Sequence, residues 1–135
     1  MINETEAYLG PHDLASHTAR GMTPRIEIMF RGAWHIYVYR IYGLHWMLNI
    51  VTGVPTDGAA VLICGVEGIS APGPEAKAFG VDLSINGLLL GECSDLWVAT
   101  AEKRSPQGHI IRNPRIGIDY PGPRWSMRRL RCALY

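Results

Sequence analysis

The stretch WHIYVYRIYGLHWMLNIVTG, residues 34–53, carries the strongest structural signal in the sequence. Aromatic and β-branched residues run from Trp34 to Tyr42 and again from His45 to Thr52, and Gly43 separates the two runs. Such residues favour strands, and a glycine between two strand-like runs permits the tight turn of a β-hairpin. The stretch therefore predicts a hairpin with its tip at Tyr42 and Gly43.

Further strands are predicted on both sides of this hairpin. INETEAY, residues 2–8, alternates polar and apolar side chains and ends before Gly10-Pro11, which indicates a short strand. GAAVLICGVEGI, residues 58–69, is a continuous apolar run typical of a central strand. SDLWVAT (94–100) and PRIGIDY (114–120) are predicted as late strands.

Two short helical segments complete the prediction. Asp13 is placed to cap one turn from Leu14 to Ala19, and a helix is expected after Pro74 within PGPEAKAFGV, residues 72–81. Strands around a few short helices predict a mixed α/β (α+β) fold. We expect a single compact domain over residues 1–135, with an antiparallel sheet and a protruding hairpin.

Composition restricts the class of protein. The chain has 135 residues, 47% hydrophobic and 19% charged, which is typical of one folded, soluble domain. It has neither an apolar run of the roughly 20 residues that a membrane helix needs nor signal-peptide features, so we expect an intracellular protein. Cys64, Cys93 and Cys132 are widely spaced, which argues against a disulfide scaffold and a zinc site.

The net charge of +1 hides a strong asymmetry along the chain. Residues 1–40 carry four basic and four acidic residues, 41–102 carry one and seven, and 103–135 carry eight and one. The basic tail is suited to phosphate contacts, although a solvated basic face would have the same composition.

The first strand places three polar side chains on one face. Side chains alternate across a strand, so Glu4, Glu6 and Tyr8 project together. Two neighbouring carboxylates repel, and the more buried one becomes a base near neutral pH. An ordinary exposed strand face is the alternative interpretation.

The hairpin offers aromatic side chains for base recognition. Tyr37 and Tyr39 share one strand face, and Tyr42 stands at the turn, where a core residue would gain little burial. Enzymes that act on a base within duplex DNA extrude that base and fill the gap with a wedge side chain. Tyr42 is therefore a wedge candidate, unless these tyrosines are simply half-buried sheet residues.

Several motifs resemble one known family. ETEAYLGPHDLASH, TPR, MF, YVYRIYGLHWMLNIVTG and PRIGIDY occur in the same order as in the alkyladenine (3-methyladenine) DNA glycosylases. The resemblance implies a single mixed α/β domain that excises alkylated or deaminated purines without cleaving the strand. It also implies duplex DNA containing damaged purines as the partner, and no cofactor or metal. We expect a cytoplasmic monomer that does not bind membranes and is nucleoid-associated if the protein is bacterial.

The resemblance also implies roles for individual residues. Glu6 matches the general base that activates a water, and Tyr8, His17 and Tyr39 match positions that stack around the flipped base. Tyr37 matches a supporting tyrosine of the same pocket.

Three further expectations follow from the matched motifs. Tyr42 matches the intercalating hairpin tip, and Asn49 matches a gate that excludes the 2-amino group of guanine. The expected phosphate contacts are Arg25, Lys77, Arg115, Arg128 and Arg129.

Departures from the family pattern leave alternatives open. Cys64 stands where the family has a water-holding arginine, and a thiol cannot replace a guanidinium. The chain also begins closer to Glu4 than its relatives do and is shorter after Gly68, so we expect an N-terminally and internally shortened member. A protein that binds and flips lesions without excision is the main alternative. A metal site is a third, weaker one, built from His12, His17, His35 and His45.

Overall fold

The computed structural model describes residues 1–91, 95–100 and 108–135. Its strands are β1 (Ile2–Tyr8), β2 (Ile36–Ile41), β3 (His45–Thr52), β4 (Ala59–Val66), β5 (Ile69–Ser70), β6 (Ile110–Asn113) and β7 (Arg131–Leu134). The helices are α1 (Pro72–Ala78), α2 (Pro123–Ser126) and three 3₁₀ helices at His17–Arg20, Glu27–Phe30 and Leu83–Ile85. Within the described ranges, no helix is both long and apolar enough to cross a membrane.

All strand pairs are antiparallel and belong to one sheet of order β2-β3-β4-β1-β7-β6, with β5 paired to β4. The N-terminal strand β1 therefore lies inside the sheet, between β4 and β7. This confirms the predicted α+β domain with an antiparallel sheet. It also confirms the hairpin, the first strand and the central strand.

The two faces of the sheet have different roles. Alternate residues of β2, β3 and β4 pack with α1 in an apolar core, whose buried members include Ile36, Leu48, Ile63 and Ala76. Full burial of such aliphatic side chains stabilises the fold by about 1.5–3 kcal/mol each. The intervening residues face the other side, and the tyrosines of β2 are among them. The core on one face thus fixes which side chains reach the other.

The helical predictions were partly right. Helix α1 is present and begins at Pro72, two residues before the expected proline. Asp13 caps the turn that follows it, since its Oδ1 accepts a hydrogen bond from Ala15 N at 3.1 Å and its carbonyl accepts one from Ser16 N at 2.8 Å. This turn does not continue to Ala19 as predicted, because a separate 3₁₀ helix begins at His17. That helix is capped by Ser16, whose Oγ accepts a hydrogen bond of 3.3 Å from Thr18 N.

Both predicted late strands were wrong. Residues 95–100 contain no strand, and Ser94 lies outside the described residues. PRIGIDY is a loop with a turn at Ile116 and Gly117, because Pro114 lacks an N–H and Gly117 has a φ of +71°. The strands of this region are β6 and β7, on either side of the loop.

This loop is tied to the N-terminal segment by a buried ion pair. Arg115 donates to both carboxyl oxygens of Asp13, at 2.6 and 2.9 Å, and to the carbonyl of Ala7 at 2.9 Å. Burial alone would raise the pKa of Asp13, but hydrogen bonds from Arg115 and from the backbone hold it below the ordinary value. Neither charged side chain is exposed to solvent. The expected phosphate contact of Arg115 is therefore wrong, because its guanidinium is enclosed and already paired.

Helix α1 carries a second buried charge of a different kind. Glu75 is fully buried, and neither of its carboxyl oxygens has a hydrogen-bond partner among the described residues. Burial raises the pKa of Glu75 to about 7, since the ionised form is poorly solvated there.

We expect Asp13→Asn to lower the free energy of unfolding at pH 7 by about 3 kcal/mol, because it leaves the Arg115 charge buried without its counter-ion. Urea denaturation measures this change. Asp82→Asn is the control, since Asp82 caps an exposed 3₁₀ helix and asparagine caps equally well. Similar losses for the two variants would contradict a special role for the buried pair.

We expect Glu75→Gln to stabilise the protein at pH 8 and to have little effect at pH 4.5. The folded pKa of about 7 exceeds the ordinary value of 4.5, so between these values the native state holds a proton that the unfolded chain has released. Stability therefore falls as pH rises across this window, by about 2–3 kcal/mol in total. Denaturant titrations at pH 4.5, 6 and 8 measure it. The control Glu67→Gln changes an exposed residue and keeps Glu75, so its stability should follow the wild-type pH dependence. A pH-independent effect of Glu75→Gln would refute the assignment.

Candidate active site

A cleft of about 750 Å³ opens on the sheet face opposite the apolar core, and the segment that leads into α1, Ser70 to Pro72, lies at its edge. Its floor is formed by β1, β2, β3, β4 and β7, and the loop at residues 116–118 forms one wall. The lining side chains that bear polar groups are Glu4, Glu6, Tyr8, Tyr39, Tyr42, Cys64, Ser70 and Arg131.

Glu6 lies on the floor of this cleft and is only 3% exposed. Its Oε2 accepts a hydrogen bond from the phenol of Tyr8 at 3.0 Å, and its Oε1 accepts one from the backbone N–H of Ile116 at 2.8 Å. Burial raises the pKa of Glu6, and these two hydrogen bonds together with nearby arginines only partly oppose the rise. A fixed carboxylate with a raised pKa is suited to accept a proton near neutral pH.

The two hydrogen-bond donors to Glu6 are themselves held in place. The ring of Tyr8 lies under the guanidinium of Arg115, 4.7 Å from its centroid, and burial raises the pKa of this phenol so that it remains a donor. Arg115 also fixes the loop from which Ile116 donates. The buried ion pair therefore positions both donors to Glu6.

A small aromatic pocket of about 70 Å³ adjoins the cleft. Tyr37 and Tyr39 are stacked with ring centroids 5.6 Å apart, and the ring of His17 meets Tyr39 edge-on at 4.6 Å. His17 Nδ1 is hydrogen-bonded to the Tyr37 hydroxyl at 2.9 Å. Tyr8 and Tyr39 line both cavities, so the pocket and the Glu6 site are continuous.

Asn49 lies on the wall of the same pocket and is buried. Its Nδ2 donates to the carbonyls of Tyr37 at 3.2 Å and Met47 at 3.4 Å, so the side-chain amide is held rigidly. Tyr37 is also buried, and its contact with His17 makes it a support for the pocket wall.

The hairpin tip stands clear of the sheet. Tyr42 is 89% exposed, and Tyr42 and Gly43 have φ angles of +50° and +67°. Together with the 3.0 Å bond from Leu44 N to the Ile41 carbonyl, these angles define a type I′ turn. The turn presents the Tyr42 ring at the rim of the cleft.

Cys64 lies in the cleft floor with its thiol directed to the Leu62 carbonyl, at 3.7 Å. Burial raises its pKa, so the thiol is neutral. The sequence predictions included Arg131 only as part of the basic tail and assigned no role to the backbone of Ile116, although both reach the site. PRIGIDY was matched as a motif but predicted as a strand, and strand β7 was not predicted, so neither position was foreseen.

The other expected phosphate contacts are all on the surface. Arg25, Lys77, Arg128 and Arg129 are exposed, and Arg128 stacks on Trp125 at 4.7 Å. Arg25 lies close enough to His17 to lower the pKa of that histidine, a smaller effect than burial, which acts in the same direction. The basic residues Lys103 and Arg104 and the cysteine Cys93 lie outside the described residues. DNA contact by the exposed Arg25, Lys77, Arg128 and Arg129 remains a prediction.

The histidines of the metal-site hypothesis are dispersed. His12 packs near Trp125, His17 lies in the aromatic pocket, and His35 and His45 lie at opposite ends of the hairpin. In the parts of the chain that the structure describes, no group of three His, Cys, Asp or Glu side chains is placed to hold a metal ion.

The sequence is similar to that of known proteins of one family. The family model for methylpurine-DNA glycosylase matches residues 1–71. A protein of Myxococcus xanthus is 41% identical over 139 residues, which cover 96% of this chain and 70% of that protein. One of Legionella pneumophila (strain Corby) is 41% identical over 138 residues, covering 96% and 73%, and one of Bdellovibrio bacteriovorus is 37% identical over 144 residues, covering 94% and 75%.

All three relatives bear the name "Putative 3-methyladenine DNA glycosylase". The family match includes β1 and the hairpin, which carry Glu6 and the aromatic pocket, and the similarity to these relatives extends over nearly the whole chain. On this similarity, the chain belongs to the methylpurine-DNA glycosylase family.

Proposed function

We propose that this protein is a DNA-repair glycosylase that flips damaged purines out of duplex DNA and hydrolyses their N-glycosidic bond. The substrate class is alkylated or deaminated purines such as 3-methyladenine, 7-methylguanine and hypoxanthine. The observation that carries the proposal is the placement of Glu6. Its buried carboxylate lies between two fixed donors, on the floor of a cleft continuous with an aromatic pocket.

Hydrolysis at this site needs one base and one water. Glu6 accepts a proton from the water as its oxygen bonds to C1′ of the flipped nucleotide, and the electron pair of the N-glycosidic bond leaves with the purine. In an alkylated purine this pair neutralises the positive charge on the base, whereas hypoxanthine leaves as an anion that takes a proton from solvent water. The carboxylate also favours the oxocarbenium-like state at C1′.

The proposed reaction is monofunctional, without strand cleavage. A lyase step would require an amine nucleophile to form a Schiff base with the sugar. The described lysine, Lys77, is exposed on α1 and does not line the Glu6 cleft. Water is therefore the proposed nucleophile.

The aromatic pocket is suited to a flat, electron-poor base. In the proposal, Tyr8, His17 and Tyr39 stack around the purine where the two cavities meet, and Tyr37 supports His17 through its hydroxyl. The rigid amide of Asn49 would crowd the 2-amino group of guanine, so normal guanine is disfavoured sterically. 7-Methylguanine has the same amino group, but its positive charge makes it a better leaving group, so it can still be excised.

DNA is engaged from the hairpin side. Tyr42 would enter the minor groove and occupy the space left by the flipped nucleotide, which its exposure at a rigid turn permits. The exposed Arg25, Lys77, Arg128 and Arg129 would contact phosphates.

A protein that binds lesions without excising them is the second candidate. The neutral Cys64 thiol favours it, since this side chain supplies no charged donor to hold the attacking water. The two candidates differ in whether lesion binding is followed by release of the free base.

We expect Glu6→Gln to lower single-turnover release of 3-methyladenine and hypoxanthine from duplex DNA by about 100-fold or more, because the amide cannot accept the proton. Lesion binding, measured by fluorescence anisotropy, should persist. The exposed Glu67→Gln serves as the control and should excise at the wild-type rate. Tight lesion binding by the wild-type protein with no base release would instead establish the non-catalytic candidate.

We expect Tyr42→Ala to weaken binding to a lesion in duplex DNA by about tenfold, since the loss of one stacked aromatic ring costs roughly 1–3 kcal/mol. In single-stranded DNA the lesion is unpaired, so no base pair has to be opened, and binding should change less. Tyr42→Phe keeps the ring and should behave like the wild type. An equal loss on both substrates would argue against a wedge.

A further inference from the structure

Strand β7 brings a cation to the side of Glu6. Arg131 is the direct cross-strand neighbour of Glu6 in the β1–β7 pair. Residues directly opposite each other in an antiparallel pair project to the same face of the sheet. The Arg131 side chain therefore lines the same cleft as Glu6, and only 17% of this side chain is exposed to solvent.

The guanidinium of Arg131 is held by a second carboxylate. Its Nη1 donates to Oε1 of Glu4 at 3.0 Å, and the Glu4 side chain is 23% exposed. Its Nε is buried and has no hydrogen-bond partner among the described residues. Glu4 thus orients the arginine without using all of its donors.

Arg131 is the one positively charged side chain among the described residues that line the cleft. The other nearby guanidinium, Arg115, lies behind the Tyr8 ring and is bound to Asp13. On the opposite side of β1, β4 contributes only the neutral Cys64 thiol. A positive charge next to the reacting carboxylate is therefore supplied from β7 and not from β4.

Several charged or titratable groups surround Glu6. Glu4 and Tyr8 lie on its own strand, Arg131 on β7, Tyr39 on β2 and Cys64 on β4, with Arg115 on the loop and Glu75 of α1 close to Cys64. Of these groups, Tyr8 favours the ionised form of Glu6 through its hydrogen bond, and the two arginines favour it through their charge. Of the two arginines, Arg131 is the one that lines the cleft.

We propose that Arg131, oriented by Glu4, is a positioning residue for Glu6: its positive charge beside the cleft floor opposes the effect of burial and favours the ionised carboxylate that takes a proton from water. This inference rests on the proposed glycosylase function. In this proposal the positive charge next to Glu6 comes from Arg131 of β7, because Cys64 of β4 carries no charge.

The proposal is tested with Arg131→Met, Arg131→Lys and the control Arg112→Met, which removes an exposed arginine from the neighbouring strand β6. Single-turnover excision of hypoxanthine is measured from pH 5 to 9. Removing the cation raises the pKa of Glu6, so we expect the acid limb of the Arg131→Met profile to move up by about one pH unit. Its rate should fall about tenfold at pH 5.5 and less at pH 8. Arg131→Lys keeps the positive charge, so its acid limb should lie close to that of the wild type, and Arg112→Met should match the wild type.

A second measurement does not depend on activity. The Glu6 carboxyl is titrated by carbon-13 NMR in the free wild-type protein and in the Arg131 variants, with Glu6→Gln used to assign the signal. We expect the Arg131→Met titration to move up by the same unit. If the apolar substitution prevents folding, Arg131→Gln removes the charge while keeping a donor for Glu4.

The outcomes separate the two proposals. Excision by the wild type with an unshifted profile in Arg131→Met, or in its substitute Arg131→Gln, would overturn the role of Arg131 and leave the glycosylase function standing. Absence of excision by the wild type would overturn the glycosylase function. The Glu6 titration then still decides whether Arg131 controls this carboxyl group, and an unchanged midpoint would refute it.

Discussion

The buried pair between Asp13 and Arg115 is the interaction on which the site depends. It joins the segment after β1 to the loop at 114–120, with no solvent exposure of either side chain. Burying two charges is costly, and here the carboxylate receives hydrogen bonds from Arg115 and from two backbone N–H groups. The same arginine supports the Tyr8 ring and brings the Ile116 N–H to Glu6. One structural ion pair thus sets the geometry around the buried carboxylate of Glu6.

Because side chains alternate between the two faces of a strand, different residues of the same strands form the apolar core and the cleft. On β2, β3 and β4, one set of alternate residues packs against α1, while the other forms the aromatic pocket and the cleft floor. A one-residue slip in register would exchange the two sets. The packed core therefore also enforces the positions of Tyr37, Tyr39 and Asn49, which are immediate neighbours of buried aliphatic residues.

Local patterns were sufficient to predict the hairpin, β1, β4 and α1, and they placed Glu6 with Tyr8 on one face. They failed where distant residues decide the structure. Asp13 caps the turn after it as its local chemistry predicts, but the same carboxylate also binds an arginine far along the chain, which no local pattern showed. The apolar alternation of PRIGIDY resembled a strand, yet Arg115 is turned inward to that partner. Strand β7 has four residues, too few for a clear alternating pattern, so the sequence predicted neither this strand nor the position of Arg131.

The location of β1 between β4 and β7 has a consequence for how the protein is made. Residues 4–6 pair with residues 131–133, so the contacts around Glu6 join parts of the chain that leave the ribosome at very different times. Contacts of such high sequence separation close slowly, because the loop entropy is lost before they form. The hairpin and β4 can assemble early, while the cleft acquires its full set of walls only when β7 docks. The surroundings of Glu6 are therefore complete only after residues 131–133 have been synthesised and have paired with β1.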